Sequence, residues 1–357
     1  MIWLYPKIDS NCFNRIKNCF NHMLNKQVTL KDLARKLRLS VSTVSRALRN
    51  VQDISPETKK QVLALAEELN YEPNFIAKSL VNKNTKVIGV VLPVIASRYF
   101  ANALSGMMEV ADSKGYHIMF CQSDESFEKE ELCIKKLVSI RADGILISVS
   151  KDTTNAELFL KVQQKGIPIV FFDRALENVA ATKVTVNQHH GAYLAVEHLI
   201  ARGYKRIAHI AGPKHLSIAV ERLNGYLDAL SKFNLPINED HILYCEDFEN
   251  DAQEKIEQLF NMEDKPDAIF AVNDASAIIC IRYLEKLGYK VPKDIAVVGY
   301  NNDPTSEVVS PALTTIQQPS YEVGKLATQL LIDEIEDELT PFVEKVLAGE
   351  LIIRSSS

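Results

Sequence analysis

Several signatures of catalysis and of membrane insertion are missing from this 357-residue sequence. It has no GxGxxG, GxxxxGK(S/T), GxSxG or HExxH motif, so the usual evidence for a nucleotide loop, a nucleophile elbow or a zinc protease is lacking. Apolar runs such as Ala142–Val149 are short and strand-like, whereas a bilayer needs about 20 apolar residues in succession. We therefore expect neither an enzyme nor a cofactor, and no membrane contact.

Cysteine is sparse and lacks metal-binding spacing. The apolar start Met1–Tyr5 is broken by Pro6 and has neither the basic residues nor the long apolar core of a signal peptide. The adjacent His189 and His190 have no spaced partner ligands, and we interpret them as a helix start or a solvated pair and expect no metal site. The sequence thus predicts a cytoplasmic protein with reduced thiols at its six cysteines, Cys12, Cys19, Cys121, Cys133, Cys245 and Cys280.

Charge is divided unevenly along the chain. Residues 1–82 contain 13 Lys and Arg against 7 Asp and Glu, whereas residues 83–357 contain 28 against 39. A basic beginning and an acidic remainder are expected if one end of the protein meets phosphate groups. Within the basic part, residues 1–27 are interpreted as an extension, either disordered or the product of a misassigned start, with Met23 as the alternative first residue.

Residues 28–72 have the pattern of a small all-α domain. Thr29 can cap a first helix and Ser40 a second, with only a two-residue turn between them. Ser55 and Pro56 open a third helix, and a Pro-led segment at 73–84 follows. The inward positions recur at helical spacing: Leu30, Leu33, Ala34 and Leu37, then Val44, Ala47 and Leu48, then Val62, Leu65, Ala66 and Leu69.

The outer face of the second helix carries Val41, Ser42, Ser45, Arg46 and Arg49. Arginine can bind the O6 and N7 atoms of guanine with two hydrogen bonds, serine can donate or accept, and valine can contact a thymine methyl group. The simpler alternative is a helical hairpin with solvated charges. The third helix and the segment behind it favour a helix-turn-helix domain that reads DNA.

From residue 85 onward, short β-branched runs alternate with amphipathic stretches, which predicts βαβ units and parallel sheets. Two blocks of this pattern predict two Rossmann-like lobes with a ligand cleft at the carboxyl ends of their strands. The expected strands are Val87–Leu92, Tyr116–Cys121, Gly144–Val149, Ile167–Phe172, Val184–Val186, Ile207–Ala211, Ala268–Val272 and Ile295–Val298. The expected helices of the second block are Gly191–Ala201, Val220–Phe233 and Asp274–Leu287.

Polar and aromatic residues follow several of these strands. Aromatic faces beside fixed hydrogen-bonding groups suit a sugar or a nucleobase. Each residue alone is more simply a loop or capping residue, and Ser126 and Asp274 are expected to cap helices. Taken together, the strand-end residues indicate a binding site formed by Tyr99, Phe100, Ser123, Asp173, Asn273 and Asn301.

The run VTLKDLARKLRLSVSTVSRALRN, followed by SPETKKQVLALAEELNYEPNFIAKSL, resembles the headpiece and hinge of the LacI/GalR family of bacterial transcription regulators. The resemblance implies that Val41, Ser42 and Arg46 contact bases. It places Thr29, Ser40, Thr43, Ser45 and Asn74 on phosphates. It also implies that Ala77 and Leu80 enter the minor groove, with Leu80 as a wedge between base steps.

The resemblance continues through AGPKHLSIAVERLNGY and SPALTTIQQP, and it implies a periplasmic-binding-protein-like body. Arg222 then matches the effector-binding arginine, and Asn273, Asn301 and Phe100 match further ligand positions. Many relatives have Asp where this chain has Asn301, so Asp303 or Asp173 is expected to supply the charge. The chain is expected to cross between the lobes near Asn187, Gln318 and Leu339, giving lobe 1 as 85–187 and 319–338 and lobe 2 as 188–318 and 339–357.

These features together predict a sequence-specific DNA-binding transcriptional regulator, a repressor whose operator affinity is controlled by a small-molecule effector, with a sugar favoured over a nucleobase. A homodimer is expected, because two heads on a two-fold axis read a pseudo-palindromic operator. Two alternatives remain: an activator of the same family, and a two-lobed sugar-binding transport receptor.

Overall fold

The computed structural model describes residues 28–71, 84–246, 251–337 and 339–357. The chain divides into two compact units, one ending at Thr85 and the other beginning at Lys86. We refer to the first as the head and to the second as the body, and describe each by itself.

The head consists of α1 (Leu30–Leu37), α2 (Val41–Leu48) and α3 (Pro56–Glu68). All three predicted caps are confirmed. Thr29 and Asp32 form a reciprocal capping box, and the hydroxyls of Ser40 and Ser55 accept from backbone N–H groups at the starts of α2 and α3. Each cap satisfies a backbone donor that a helix start otherwise leaves unpaired.

One small core joins the three helices of the head. Each helix contributes two fully inward side chains: Leu33 and Ala34, Val44 and Ala47, Val62 and Ala66. Ile54, in the loop before α3, packs on this core. Since the inward face of α2 is used in this way, its opposite face is left exposed within the head.

The body contains two six-stranded sheets. The strands of the first sheet are β1 (Val87–Leu92), β2 (His117–Gln122), β3 (Gly144–Ile147), β4 (Ile169–Phe172), β5 (Thr182–Val186) and β11 (Glu344–Leu347). Those of the second are β6 (Ile207–Ala211), β7 (Ile242–Tyr244), β8 (Ala268–Ala271), β9 (Ala296–Asn301), β10 (Thr314–Gln317) and β12 (Glu350–Ile352).

The helices of the body pack on both faces of these sheets. They are α4 (Arg98–Ser113), α5 (Phe127–Ser139), α6 (Glu157–Gln163), α7 (Gln188–Ala201), α8 (Ser217–Lys232), α9 (Ala252–Phe260), α10 (Asp274–Lys286), α11 (Thr305–Val308) and α12 (Ser320–Glu336), with a 3-10 turn at Glu239–His241. Each sheet has one apolar cluster on either side, so each lobe is a three-layer α/β unit.

The strand orders are β11-β5-β4-β3-β1-β2 in lobe 1 and β12-β10-β9-β8-β6-β7 in lobe 2. All pairs are parallel except β10 with β12. The carboxyl ends of the parallel strands therefore lie along one edge of each sheet, which is where ligands bind in such folds.

Three crossings within the described residues connect the lobes. The first lies between β5 and α7 and the second between β10 and α12, near Asn187 and Gln318 as predicted. The third prediction, near Leu339, was wrong: residues 344–347 form β11, which pairs with β5 in lobe 1, so the chain crosses at Ala348–Gly349. The sequence EKVL at β11 is largely exposed and gives no core pattern that would have assigned it to a sheet.

The eight predicted strands and three predicted helices of the body all exist, with end shifts of a few residues. The sequence pattern did not predict four strands, β7, β10, β11 and β12. Ser126 caps α5 as expected. Asp274 does not cap α10, because Asn273 takes that position and Asp274 is buried in the first turn, accepting from the Thr315 hydroxyl and the Asp303 amide.

Candidate functional site

The exposed face of α2 contains the residues that the sequence assigned to DNA. Val41 and Ser42 are exposed, and the Ser40 hydroxyl lies 2.7 Å from those of both Ser42 and Thr43. The Arg46 guanidinium donates through Nη1 to the Asp53 carboxylate at 2.6 Å. This face offers hydroxyls, a methyl-bearing surface and a guanidinium, the groups that read base edges.

The rest of the predicted DNA contacts are of two kinds. Thr29 lies at the start of α1 and is engaged in its capping box. Ser45 lies on α2, and its carbonyl accepts from Arg49 Nε at 3.3 Å. Asn74, Ala77 and Leu80, most of the predicted hinge at 73–84 and the extension at 1–27 lie outside the described residues.

A cavity of about 370 Å³ lies in the body between the two lobes. Six of the seven residues that we predicted to bind an effector contribute to its wall: Tyr99, Phe100, Asp173, Arg222, Asn273 and Asn301. The wall is completed by Val94, Ser97, Glu125, Lys151, Arg174, Ile218, Glu246 and Gln318. Ser123 does not line the cavity, because its buried hydroxyl is hydrogen-bonded to Ser150 at 2.7 Å below the surface.

Arg222 is the central group on the lobe 2 side. It comes from α8, is 4% exposed, and donates to Gln188 Oε1 through Nε and Nη2 and to the Val272 carbonyl through Nη1. Its guanidinium lies over the Tyr300 ring, 3.8 Å from the centroid. Burial lowers the pKa of Arg222, with Tyr300 and Asp173 opposing that effect. Gly191 makes room for this arrangement, since a Cβ atom there would lie 2.3 Å from the Tyr300 hydroxyl.

Asp173 and Arg174 form the charged part of the lobe 1 wall, directly after β4. Burial raises the pKa of Asp173, and the Arg174 and Arg222 guanidiniums oppose the rise. The Ser148 hydroxyl donates to Asp173 at 3.2 Å, and Arg174 Nη1 contacts both carboxylate oxygens of Glu125 at 2.8 and 3.0 Å. Arg174 Nε is buried 3.8 Å from Asp173 Oδ2 and makes no hydrogen bond within the described part of the chain, which leaves one strong donor beside the cavity.

Two aromatic rings complete the lobe 1 wall. Tyr99 and Phe100 lie in the first turn of α4 with their rings edge to face, centroids 5.3 Å apart. The Tyr99 hydroxyl is buried near the Asp173 carboxylate, and it has no hydrogen bond of good geometry among the residues that the structure describes. Burial, followed by the negative charge of Asp173, raises the pKa of Tyr99, so the hydroxyl keeps its proton and can donate.

An amide chain connects Arg222 with the two crossing segments. Gln188, at the start of α7, accepts from Arg222 and donates to Gln318 Oε1 at 3.1 Å. Gln318, just after β10, donates in turn to Asn301 Oδ1 at 2.7 Å. This amide chain therefore starts at Arg222 in the cavity wall, passes the first crossing at Gln188 and the second at Gln318, and returns to the cavity wall at Asn301.

This network determines what the two asparagines present to the cavity. Asn301 uses its side-chain oxygen on Gln318, and Asn273 uses its own to cap α10 at the Ser276 amide, 2.8 Å away. Both are left with amide N–H₂ groups, which only donate.

The backbone is strained at the same strand ends. Asp173 after β4 has φ of 61°, and Asn301 and Asn302 at the end of β9 have φ of 119° and 54°. Non-glycine residues adopt positive φ at a cost, and such residues concentrate at ligand sites.

Sequence reasoning missed Glu125, Lys151, Gln188 and Gln318. Glu125 and Lys151 follow predicted strands, Gln188 follows the predicted crossing at Asn187, and Gln318 was named as a crossing but not as a site residue. No three His, Cys, Asp or Glu side chains within the described ranges are grouped so that they could hold a metal ion. None of the helices found there has the length and apolar character needed to cross a membrane.

Two family models match the chain. Residues 29–74 match the model of bacterial regulatory proteins of the lacI family, and residues 196–357 match that of the periplasmic binding protein-like domain. The transcriptional repressor PurR of Aliivibrio salmonicida is 33% identical over 312 residues, which is 87% of this chain and 93% of that protein. The ribose operon repressor of Halalkalibacterium halodurans is 32% identical over 332 residues, 92% of this chain and 97% of that protein. The chain belongs to the lacI family.

Solved structures agree with the membership in the lacI family. The lac repressor dimer bound to operator and the anti-inducer ONPF has a TM-score of 0.82 at 26% identity, covering 93% of this chain and 99% of that one. The complex of the regulator CelR with cellobiose has a TM-score of 0.71 at 27% identity, covering 92% and 100%. The predicted family, the two-part fold and the function are confirmed: this is a DNA-binding transcriptional repressor with a small-molecule effector.

Proposed function

We propose that the head reads its operator through Val41, Ser42 and Arg46, with Thr29, Ser40, Thr43 and Ser45 on the flanking phosphates. The proposal is supported by the packing of α2: Val44 and Ala47 bury its inner face in the core of the head, so its outer face is presented in a fixed orientation within the head. Asn74, Ala77 and Leu80 extend the proposal to the hinge at 73–84, outside the described residues.

The effector site of the proposal is the cavity between the lobes, with Tyr99, Phe100, Asp173, Arg222, Asn273 and Asn301 as contacts. The observation that carries it is the amide chain from Arg222 through Gln188 and Gln318 to Asn301. A ligand that contacts both ends of this chain also acts on two of the three segments that join the lobes. Ligand binding is thereby coupled to the angle between the lobes, and by linkage to operator affinity.

The effector is a sugar, recognised mainly through its oxygen atoms. Asn273 and Asn301 present donors only, Arg174 Nε lies 3.8 Å from Asp173 Oδ2 and makes no hydrogen bond within the described residues, and the Tyr99 hydroxyl can donate. Asp173 is the acceptor on the opposite wall and supplies the carboxylate that Asn301 lacks; Asp303 does not line the cavity. Hydroxyl groups fit such a wall because each can accept from an amide and still donate to a carboxylate.

The body pairs with a second copy through the edge of lobe 1 at β2. Within the described residues β2 pairs only with β1, and it exposes large apolar side chains. Met119 and Phe120 on the strand are 45% and 49% exposed, and Met108 on α4 and Leu132 on α5 are 48% and 54% exposed. An exposed apolar edge strand of this kind is normally covered in the functional assembly. A two-fold dimer would carry two heads for a pseudo-palindromic operator.

Two finer assignments complete the proposal. The protein acts in the cytoplasm, where its operator is found, and it has no catalytic activity, since the family consists of transcriptional regulators. The alternative of a transport receptor lacks support because the lacI-family model matches residues 29–74.

The experiment combines ligand screening with DNA binding. A thermal-shift screen of sugars and nucleobases against the full chain identifies the effector, and the operator is selected from a random duplex library by the wild-type protein. The identified sugar is expected to change operator affinity about 5- to 150-fold. Arg46→Ala is expected to weaken operator binding by about 1 to 3 kcal/mol while the sugar still binds. Preference for nucleobases, or sugar binding without any effect on DNA affinity, contradicts the assignment.

A further inference from the structure

The loop between α2 and α3 places a carboxylate against the arginine of the DNA-reading face. Arg46 Nη1 and Asp53 Oδ2 are 2.6 Å apart, and the two side chains are 43% and 48% exposed. Asp53 is seven residues beyond Arg46 and belongs to no helix. The contact is therefore made by the path of the loop and not by helical spacing.

This loop is anchored on both sides of Asp53. The Val51 amide donates to the Arg46 carbonyl at 3.2 Å, the Asn50 amide donates to that of Ala47 at 3.0 Å, and Asn50 takes the left-handed conformation with φ of 56°. On the other side, Ile54 packs on the core of the head. Asp53 consequently sits at a defined position relative to α2.

Stability does not account for this pair. An ion pair with both side chains about half exposed contributes little to folding, on the order of 0 to 1 kcal/mol. A carboxylate beside a phosphate-binding surface also repels DNA, so an acidic residue at this place lowers the general affinity for nucleic acid. We therefore look for a benefit of Asp53 that offsets this repulsion, and the orientation of the Arg46 guanidinium is the remaining candidate.

The geometry suits such an effect. A guanidinium has five N–H donors, and the edge formed by Nε and Nη2 can make two parallel hydrogen bonds by itself. Since Asp53 takes Nη1, that edge stays available for the O6 and N7 atoms of a guanine. Holding the long side chain in one orientation also reduces the entropy lost when it binds.

We propose that Asp53 is a positioning residue for sequence recognition: it orients the Arg46 guanidinium for a base and, by its charge, weakens binding to other DNA. The inference rests on the proposed role of Arg46 in base reading. It predicts opposite changes for two kinds of DNA, which a structural role alone does not.

The test compares Asp53→Asn in the full chain with Glu57→Gln as the matched control. Glu57 is an exposed carboxylate in the first turn of α3, and its side chain has no ion pair within the described part of the head. Affinities are measured for a duplex selected by the wild-type protein from a random library and for a shuffled duplex of the same composition. Thermal unfolding midpoints show that each variant is folded.

Asp53→Asn is expected to lower affinity for the selected duplex about 3- to 20-fold and to raise affinity for the shuffled duplex about 2- to 5-fold. Glu57→Gln is expected to raise both slightly or leave both unchanged. In an Arg46→Ala background, Asp53→Asn should no longer reduce affinity for the selected duplex, because Asp53 acts through that arginine.

A rise in affinity for both duplexes on Asp53→Asn, or the same loss with and without Arg46, overturns the positioning role. If Arg46→Ala lowers the preference and Asp53→Asn does not, only this inference fails and base reading by Arg46 stands. If Arg46→Ala leaves the preference intact, both fail.

Discussion

The Arg222 guanidinium lies 3.8 Å from the centroid of the Tyr300 ring while all of its hydrogen bonds go to uncharged oxygens, those of Gln188 and Val272. No ion pair of Arg222 is found among the described residues, although the charge of Asp173 raises the pKa of Arg222 against the effect of burial. A cation held in this way is only partly compensated, so oxygen atoms of a ligand gain more from it than from a solvated arginine.

Arg222→Lys tests this arrangement without removing the charge. An ammonium cannot make the planar three-donor contact with Gln188 and Val272, so the amide chain loses its first member. Effector affinity is expected to fall about 10- to 100-fold while operator affinity without effector is unchanged. Isothermal titration with the sugar and a gel-shift assay measure the two quantities. Arg206→Lys, an exposed arginine of the same lobe, is the control, and undiminished sugar binding by Arg222→Lys would remove Arg222 from the site.

Asn301→Asp tests the hydrogen-bond polarity of the cavity. The carboxylate can still accept from Gln318 but has no donor for the ligand, and it places a second negative charge opposite Asp173. We expect the sugar to bind at least about 10-fold more weakly. The matched control is Asn155→Asp, because the side chain of Asn155 is hydrogen-bonded within the described residues only through its oxygen, to the Glu157 amide, and does not line the cavity. Equal or tighter binding by Asn301→Asp would mean that Asn301 does not donate to the ligand.

Features formed by residues close together in the sequence could be predicted, whereas contacts between distant residues could not. The caps Thr29, Ser40 and Ser55 were predictable because cap, first turn and apolar spacing lie within a few residues. The contact between Gln188 and Gln318 joins residues 130 positions apart and has no local pattern. Ser123 was placed in the site because it ends a strand, but its side chain points below the surface to Ser150.

His209 allows a pH-dependent prediction that is independent of ligands. It is fully buried in β6, stacked on Phe270 with centroids 4.7 Å apart, and its Nδ1 is hydrogen-bonded to the carbonyl of Phe270. Burial lowers the pKa of His209 from 6.5 to about 4, against the opposing effect of that hydrogen bond. Between these values the unfolded chain binds a proton that the folded protein does not, so acidification destabilises the fold.

His209→Phe removes this effect. The variant should be less stable than the wild type at pH 7, since the Phe270 carbonyl loses its donor, but the difference should shrink by about 2 kcal/mol at pH 5. Burial raises the pKa of Asp274 to about 6, which gives the opposite slope between 3.8 and 6, and the comparison of the two proteins cancels that contribution. Urea unfolding of both proteins at pH 7 and pH 5 measures the difference in their free energies of unfolding. A constant difference would show that His209 titrates normally.

Phe120→Lys tests the proposed dimer surface. Phe120 is 49% exposed on the edge strand β2, and a two-fold axis would bring two copies of the substitution to one interface. We expect the dissociation constant of the dimer to rise at least about 10-fold, because buried aromatic anchors dominate interface energies. Operator affinity should fall in parallel, since a monomer carries one head. Leu160→Lys is the control, because Leu160 is 42% exposed on α6, on a helix of the same lobe away from β2. Sedimentation velocity at a series of concentrations distinguishes the outcomes: a stable Phe120→Lys dimer, or equal weakening by Leu160→Lys, would place the interface elsewhere on the body.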